Sequence, residues 1–207
     1  MVGVLSLAAG LPAMASGFLD DFESGLGQWT GKAGGVNHGI IVTDPLASGR
    51  SNVLSFTGVG YGGDLFSTAP ISLTGPAVIS FDYLGLAQPD SHPGDLGGFL
   101  GIAYSLNPKT EGTDIIWYAG TIDSYPGLLI SLADDGLWHH YQIPVNATAL
   151  GTFRLTVEDF SGSGNNGCDV YFDNISVTSL TAVPEPTSLS LAVAGAIALI
   201  ARRRCQR

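Results

Sequence analysis

The chain has 207 residues, of which 45% are hydrophobic and 13% charged, and its formal net charge is −10 at pH 7. Between residues 16 and 182 there are four basic and seventeen acidic residues, an acidic balance that argues against nucleic acids and anionic membrane surfaces as partners. The 9% aromatic content and the 29 glycines are typical of a folded, secreted all-β domain and not of a disordered chain.

The first fifteen residues have the features of a secretory signal peptide. Val2 to Leu11 is apolar, and Ala13-Met14-Ala15 has the small-x-small pattern of a signal peptidase site. We expect cleavage after Ala15. No Lys or Arg precedes the apolar run, so we expect either that the true start lies upstream of Met1 or that the signal is weak. The alternative is that these residues form a buried first strand or helix of the domain.

Residues 16–182 are long enough for one domain, and their pattern is one of short strands separated by turns, without a helical period of 3.6. The predicted strands are Gly39–Thr43, Asn52–Thr57, Leu65–Leu73, Ala77–Leu84, Phe99–Leu106, Asp114–Ile122, Gly127–Ala133, Trp138–Val145, Thr152–Glu158 and Asp169–Leu180. Because proline cannot donate to a ladder, we expect Pro70 to place the middle of the third predicted strand at a sheet edge or in a bend. This spacing predicts a β-sandwich of jelly-roll type with two antiparallel sheets.

Motifs at the two ends of this domain indicate the type of sandwich. The opening motif is Asp21 to Trp29 (DFESGLGQW), followed by Ser48 to Leu54 (SGRSNVL), and the closing motif is Val170 to Val177 (VYFDNISV). Together they resemble the opening and closing strands of jelly-roll carbohydrate-binding modules. The resemblance implies that the first and last strands pair at one edge of the sandwich.

The same resemblance implies a structural calcium ion, which takes six to eight oxygen ligands. By position in the motifs the ligands would be Glu23 and Asp173, with carbonyl oxygens near Gly49 or Ser51, and Asp21 is a further candidate. The alternative is that Asp173 only caps a turn and that Glu23 is solvated.

Glycan recognition needs aromatic faces that stack on sugar rings and polar partners for the hydroxyl groups. Trp117 and Tyr125, with Asp90 and Asp95 in the long loop 87–98, are the predicted ligand-binding residues. For any single aromatic residue, a role in packing is the alternative.

Sequence motifs for catalysis are absent. The chain contains neither an H-E-x-x-H nor a G-x-S-x-G motif, and Cys168 is the single cysteine of the predicted domain, which excludes a disulfide framework. We therefore expect a protein that is not an enzyme. A secreted hydrolase acting on polysaccharide or ester substrates is the alternative.

The C-terminal segment 183–207 combines a rigid motif, an apolar run and a basic end. The prolines of the motif Pro184-Glu185-Pro186 fix φ and have no backbone N–H to donate, so we expect the motif to stay extended. The thirteen residues from Leu189 to Ala201 carry no charge and would form a helix in lipid, with the following arginines on the cytoplasmic side. The residues that define the segment are Pro184, Glu185, Pro186, Arg202, Arg203 and Arg204.

This segment resembles the PEP-CTERM sorting tail of bacterial exosortase substrates. The resemblance implies export, a transient membrane anchor and recognition by an exosortase-type sorting enzyme, in bacteria that make extracellular polysaccharide. A permanent anchor is the alternative, but thirteen residues at about 1.5 Å each span only about 20 Å, which is short for a stable transmembrane helix. We therefore expect a protein of the cell surface or extracellular matrix whose domain contacts exopolysaccharide.

Overall fold

The computed structural model describes residues 13–56, 65–86, 95–121, 127–161 and 170–183. These residues form thirteen β-strands, a four-residue α-helix α1 (Ala147–Leu150) and a 3-10 turn at Lys32–Gly34. The strands are β1 (Ala13–Asp20), β2 (Trp29–Gly31), β3 (Gly39–Thr43), β4 (Asn52–Phe56), β5 (Leu65–Ser67), β6 (Ile71–Ser72), β7 (Pro76–Gly85), β8 (Asp95–Ala103), β9 (Ile115–Gly120), β10 (Ile130–Ser131), β11 (His139–Asn146), β12 (Thr152–Ser161) and β13 (Val170–Val183).

The strands form two sheets, which confirms the predicted all-β sandwich. The first sheet has the order β11-β7-β13-β4-β3, with β1 paired to β13. The second has the order β10-β9-β8-β12-β5-β2, with β6 paired to β12. In both sheets a strand from late in the chain lies between earlier ones, as in a jelly roll and not in a simple meander. The pairing of β10 with β9 is parallel, so the second sheet is not purely antiparallel.

The core lies between the two sheets and is built by residues that alternate along the strands. The inward-facing residues of β7 and β12 are Ala77, Ile79, Phe81, Tyr83, Phe153, Leu155 and Val157, each at most 1% exposed. Phe172 of β13 packs against the rings of Phe81 and Tyr83, with centroids 6.2 and 5.2 Å away. Burial of each large apolar side chain of this core, such as Ile79, Phe81 or Leu155, stabilises the fold by about 1.5–3 kcal/mol.

Some predicted strands agree closely with the structure, and one is divided. β3 has the predicted bounds, and β7 extends the predicted strand by one residue at each end. The predicted strand Leu65–Leu73 is two short strands, β5 and β6, with Pro70 between them. Proline has no N–H to donate to a ladder, which explains the break.

The sequence did not predict β1, β2 or α1. β1 runs antiparallel to β13, so the first and last strands pair as expected, but residues 21–28 of the opening motif form turns between β1 and β2 and not a strand. It begins at Ala13, before the expected cleavage point after Ala15, and Ala13 and Met14 pair with Val183 and Ala182. The signal peptide and the boundaries of the domain stay predictions.

The ends of the strands define two ends of the sandwich. Val170 pairs with Gly85 in the first sheet, and Ser161 pairs with Asp95 in the second. The N–H of Gly98 donates to the hydroxyl of Tyr83 at 3.3 Å, which joins these two sheet ends. We call this side of the molecule the loop end. Val183, at the other terminus of β13, lies at the opposite end.

Substitution of Gly101 by alanine tests the close approach of β8 to β9. A Cβ atom at Gly101 would lie 2.2 Å from the carbonyl oxygen of Ile116 and 2.9 Å from Cα of Trp117, so the backbone would have to shift. We expect Gly101→Ala to lower the free energy of unfolding by about 1–3 kcal/mol, measured by urea denaturation. Gly27→Ala is the matched control, since a Cβ there has no atom within 4 Å. Equal stability of the two variants would contradict the register of β8 and β9.

Candidate functional site

Two aspartates lie opposite each other on the outer side of the first sheet. Asp82 of β7 is in register with Asp173 of β13, and both are buried, at 6% and 4% exposure. Phe81 and Tyr83, on either side of Asp82, point into the core. Like charges directly opposite each other destabilise a sheet, and a buried carboxylate without a partner is costly. The pair therefore requires a cation or a shared proton.

Arg50 supplies the positive charge. Its Nη2 lies 2.9 Å from Oδ2 of Asp82, and its Nε lies 3.2 Å from Oδ2 of Asp173. The Nε–H makes no hydrogen bond within the described residues, so its contact with Asp173 is an ion pair alone. We call Arg50, Asp82, Asp173, Asn174 and His140 the Arg50 cluster.

Two segments meet above this cluster from opposite edges of the sheet. Residues 44–51 follow β3 at one edge, and Trp138 precedes β11 at the other. Nε1 of Trp138 donates to Oδ1 of Asp44 at 3.0 Å, and the guanidinium carbon of Arg50 lies 4.4 Å from the centroid of the Trp138 ring. Burial acts to raise the pKa of Asp44, but hydrogen bonds from Ser48 and Trp138 outweigh it and lower the pKa to about 2. The two segments are therefore joined by a carboxylate that stays ionised well below neutral pH.

His140 and Asn174 complete the cluster. Nδ1 of His140 lies 2.7 Å from Oδ1 of Asp82, and Nδ2 of Asn174 donates to Oδ2 of Asp82 at 2.8 Å. Burial acts to raise the pKa of Asp82, but hydrogen bonds from Asn174, His140 and Arg50 give a net lowering. Asn174 has φ of +50° at an irregularity of the β13 ladder, a conformation that Asn adopts more readily than most residues.

Two of the predicted calcium ligands, Glu23 and Asp173, are electrostatic neighbours in the structure. Burial raises the pKa of Asp173 to about 6, and the negative charges of Asp82 and Glu23 contribute to the shift. Both carboxylate oxygens of Glu23 accept hydrogen bonds from Asn52, each at 3.1 Å. The third candidate, Asp21, is exposed and accepts a hydrogen bond from the N–H of Glu23.

The side chains as arranged do not form a calcium cage. Arg50 stands beside Asp173, and the described residues contain no group of three or more His, Cys, Asp or Glu side chains placed to hold a metal ion. A calcium ion bound to Asp173 would have to displace the guanidinium group. Calcium at Glu23 and Asp173 stays a prediction.

A second candidate surface lies on the outer side of the second sheet. Along β9, Ile116 and Tyr118 contact the core between the sheets, whereas Trp117 belongs to a separate apolar cluster. Trp117 is in register with Gly101, Gly101 with Thr156, and Thr156 with Phe66. The register therefore sets these residues in one row across four strands, with no side chain at Gly101.

We call Phe66, Phe99, Trp117 and Thr156 the aromatic face. The rings of Phe99 and Trp117 are 5.6 Å apart at 59°, and these two residues are 3% and 4% exposed. Thr156 is fully buried, and its Oγ1 has no hydrogen-bond partner within the described residues. A buried hydroxyl left unpaired costs about 1–3 kcal/mol, so the Thr156 side chain lowers the stability of the folded state.

Of the four predicted ligand-binding residues, the structure describes the side chain of one, Trp117. Trp117 is on the aromatic face but buried, so its role as a sugar platform stays a prediction. Asp95 begins β8 at the loop end, and its side chain lies outside the described residues, as do Asp90 and Tyr125. Cys168 also lies outside them.

Sequence reasoning missed most of the Arg50 cluster. It named Asp173 as a metal ligand, but it gave no role to Arg50 or His140. The available signal was the alternation along β7, which places Asp82 on the outer face. The register with β11 and β13, which brings the partners of Asp82 to it, is not readable from spacing alone.

The C-terminal segment matches a known sorting motif. Residues 182–204 match the sequence profile described as the PEP-CTERM protein-sorting motif, which confirms the predicted tail and indicates export and sorting to the cell envelope. Residues 184–207, with the predicted transmembrane run, lie outside the described part of the structure. In the described part, no helix has the length and apolar character needed to cross a membrane.

Solved structures with the same fold include an adhesin and a carbohydrate-binding tandem. The K1 cleaved adhesin domain of Lys-gingipain from Porphyromonas gingivalis W83 has a TM-score of 0.51 at 14% identity, covering 79% of this chain and 98% of that one. The CBM22-1-CBM22-2 tandem domain of Paenibacillus barcinonensis Xyn10C has a TM-score of 0.52 at 15% identity, covering 81% of this chain and 50% of the tandem. A search of curated proteins gave no match. Identities this low establish the jelly-roll fold alone.

Substitution of Asp173 by asparagine is expected to change the pH dependence of stability. Because the folded-state pKa of Asp173 is raised from 3.8 to about 6, its protonation stabilises the fold at low pH, and this contribution disappears as the pH rises from about 4 to about 6. Asp173→Asn cannot titrate. In chelator, its free energy of unfolding relative to wild type should therefore rise by on the order of 2 kcal/mol between pH 4 and pH 7, measured by urea denaturation. A constant difference across this range would contradict the raised pKa.

Calcium binding at Asp173 is tested by a separate experiment, a thermal melt at pH 7 with calcium chloride or with chelator. If Asp173 is a ligand, calcium chloride raises the melting temperature of the wild type at pH 7 and leaves that of Asp173→Asn unchanged. A wild-type melting temperature that is identical with calcium and with chelator removes calcium from this site.

Proposed function

We propose that this protein is a surface or matrix protein, sorted by an exosortase-type enzyme, whose β-sandwich binds extracellular polysaccharide without cleaving it. The sorting motif at residues 182–204 is the observation that carries the first half of the proposal. Export gives the domain access to extracellular polysaccharides. The acidic balance of residues 16–182 disfavours polyanions as ligands.

The fold supports the binding half of the proposal. A carbohydrate-binding tandem and an adhesin domain share it over about four-fifths of this chain. Both are named for binding or adhesion, and neither is named as a catalytic domain. A fold hosts many functions, so the likeness makes binding the first function to test.

The aromatic face supplies suitable chemistry for a sugar. Aromatic rings offer apolar area and a polarised surface to sugar C–H groups, and a hydroxyl can pair with the hydroxyl groups of the ligand. Trp117, Phe99 and the unpaired Thr156 hydroxyl occur together on one side of one sheet. We therefore assign the glycan to this side of the second sheet.

Substitution of Thr156 by valine tests this assignment with little change in shape. If the Thr156 hydroxyl pairs with a sugar hydroxyl, Thr156→Val should weaken polysaccharide binding about tenfold, the effect of one hydrogen bond of roughly 1.4 kcal/mol. Binding is measured by affinity electrophoresis of the full chain, in mild detergent, through gels containing xylan, hydroxyethyl cellulose or mixed-linkage β-glucan. The fold should be as stable as wild type or more so, because an unpaired buried hydroxyl is removed.

Thr178→Val is the matched control, since Thr178 is a half-buried threonine of β13 in the other sheet. It should leave binding unchanged. Equal binding by wild type and both variants would place the glycan elsewhere. Failure of the wild type to bind any of the polysaccharides, and any glycan of an array, would contradict the proposed function and leave a purely structural matrix role.

A further inference from the structure

Three side chains on the outer side of the first sheet lie in hydrogen-bonded sequence. Oγ of Ser80 lies 3.3 Å from Nε2 of His140, and Nδ1 of His140 lies 2.7 Å from Oδ1 of Asp82. A hydroxyl, an imidazole and a carboxylate joined in this order are the elements of an activated serine nucleophile.

The register of two strands creates this arrangement. Ser80 and Asp82 are two residues apart on β7 and therefore share its outer face. On the neighbouring strand, His140 is in register with Asp82, and Gln142 is in register with Ser80. His140 is thus placed beside both β7 residues at once, and its side chain is 54% exposed.

Asp82 is held in position independently of His140. Its Oδ2 accepts hydrogen bonds from Arg50 at 2.9 Å and from Asn174 at 2.8 Å, which leaves Oδ1 directed at the imidazole. With Nδ1–H of His140 donating to Asp82, Nε2 carries the lone pair that accepts the proton of Ser80. The chain thus contains the orienting group that a serine–histidine pair needs.

We propose that Ser80, His140 and Asp82 form a nucleophilic site that hydrolyses accessible carboxylic esters. Oγ of Ser80 forms a bond to the acyl carbon while its proton passes to Nε2 of His140. The bond from the acyl carbon to the alcohol oxygen then breaks, and the proton on Nε2 passes to that oxygen. Water attacks the acyl-serine in the same way, gives its proton to His140 and releases the carboxylic acid, and Ser80 recovers its proton.

Gln142 is the group that can stabilise the developing negative charge. Its side-chain N–H donates to Nε2 of His140 at 3.3 Å, where it competes with the Ser80 hydroxyl, and it must turn from there toward the acyl oxygen; the residue stands opposite Ser80 in the ladder. An amide N–H can serve as an oxyanion donor. The site lies on an open sheet surface, which favours small acyl groups that project from a larger molecule, such as acetyl esters on a polymer.

This activity goes beyond the proposed function and does not depend on it. The Ser80 site lies on the first sheet, and the aromatic face lies on the outer side of the second. An esterase active on soluble esters could therefore exist whether or not the aromatic face holds a glycan, and the two proposals fail separately.

Reaction with a fluorophosphonate probe and hydrolysis of p-nitrophenyl acetate test the proposal on the full chain in mild detergent. We expect the wild type to be labelled at Ser80 and to hydrolyse the ester. Ser80→Ala should abolish the labelling and lower the rate at least tenfold, and Gln142→Ala should lower the rate while labelling persists. Circular dichroism melts verify that each variant is folded.

Ser176→Ala is the matched control, because Ser176 is in register with Ser80 on the other side of β7. It should retain both labelling and rate. An exposed histidine alone can hydrolyse this activated ester, so equal rates in the wild type and in Ser80→Ala overturn the proposal. Absence of probe labelling at Ser80 in the folded wild type overturns it as well.

Discussion

Arg50 and the two aspartates beneath it are the interaction on which the outer side of the first sheet depends. Asp82 and Asp173 face each other across adjacent strands and are nearly inaccessible to water. Removal of one partner from such a buried set typically costs about 3–5 kcal/mol, because a charge is left uncompensated. The guanidinium of Arg50 also lies against the ring of Trp138, whose indole N–H donates a hydrogen bond to Asp44. One side chain therefore joins the centre of the sheet to segments that arrive from both of its edges.

The sequence predicted the strands that can be identified from the side-chain pattern within the strand itself. The predicted strand Ala77–Leu84 agrees with β7 to within one residue at each end, because apolar and polar side chains alternate along it between the two sides of the sheet. β2 has three residues and α1 has four, too few for any period to show. β1 was missed for another reason: its first residues, Ala13 to Ala15, also match a signal peptidase site, and one pattern cannot indicate both structures at once.

Only those residues of the candidate sites that belong to a recognisable sequence motif could be predicted. Resemblance to carbohydrate-binding modules singled out Glu23 and Asp173, and the structure does place them near each other. Arg50, His140 and Ser80 depend on pairings between residues that are 30 to 60 positions apart. The register between strands that are far apart in the sequence is set by how whole strands pack, and it cannot be read from composition or residue spacing. The same limit applies to Thr156, whose unpaired hydroxyl is visible only once its neighbours are placed.

The direction of β13 relates these sites to the sorting motif. β13 ends at Val183, and the matched motif begins at residue 182, so the last strand of the sandwich leads into the tail without a linker. Asp173 lies ten residues earlier on the same strand, which corresponds to about 30 Å along a β-strand. The matched motif therefore begins at the end of the domain opposite the loop end, while the Arg50 cluster lies toward the loop end. Because β13 belongs to the middle of its sheet, the sorting motif begins on a strand that is paired on both sides, at the end of the domain opposite the loop end.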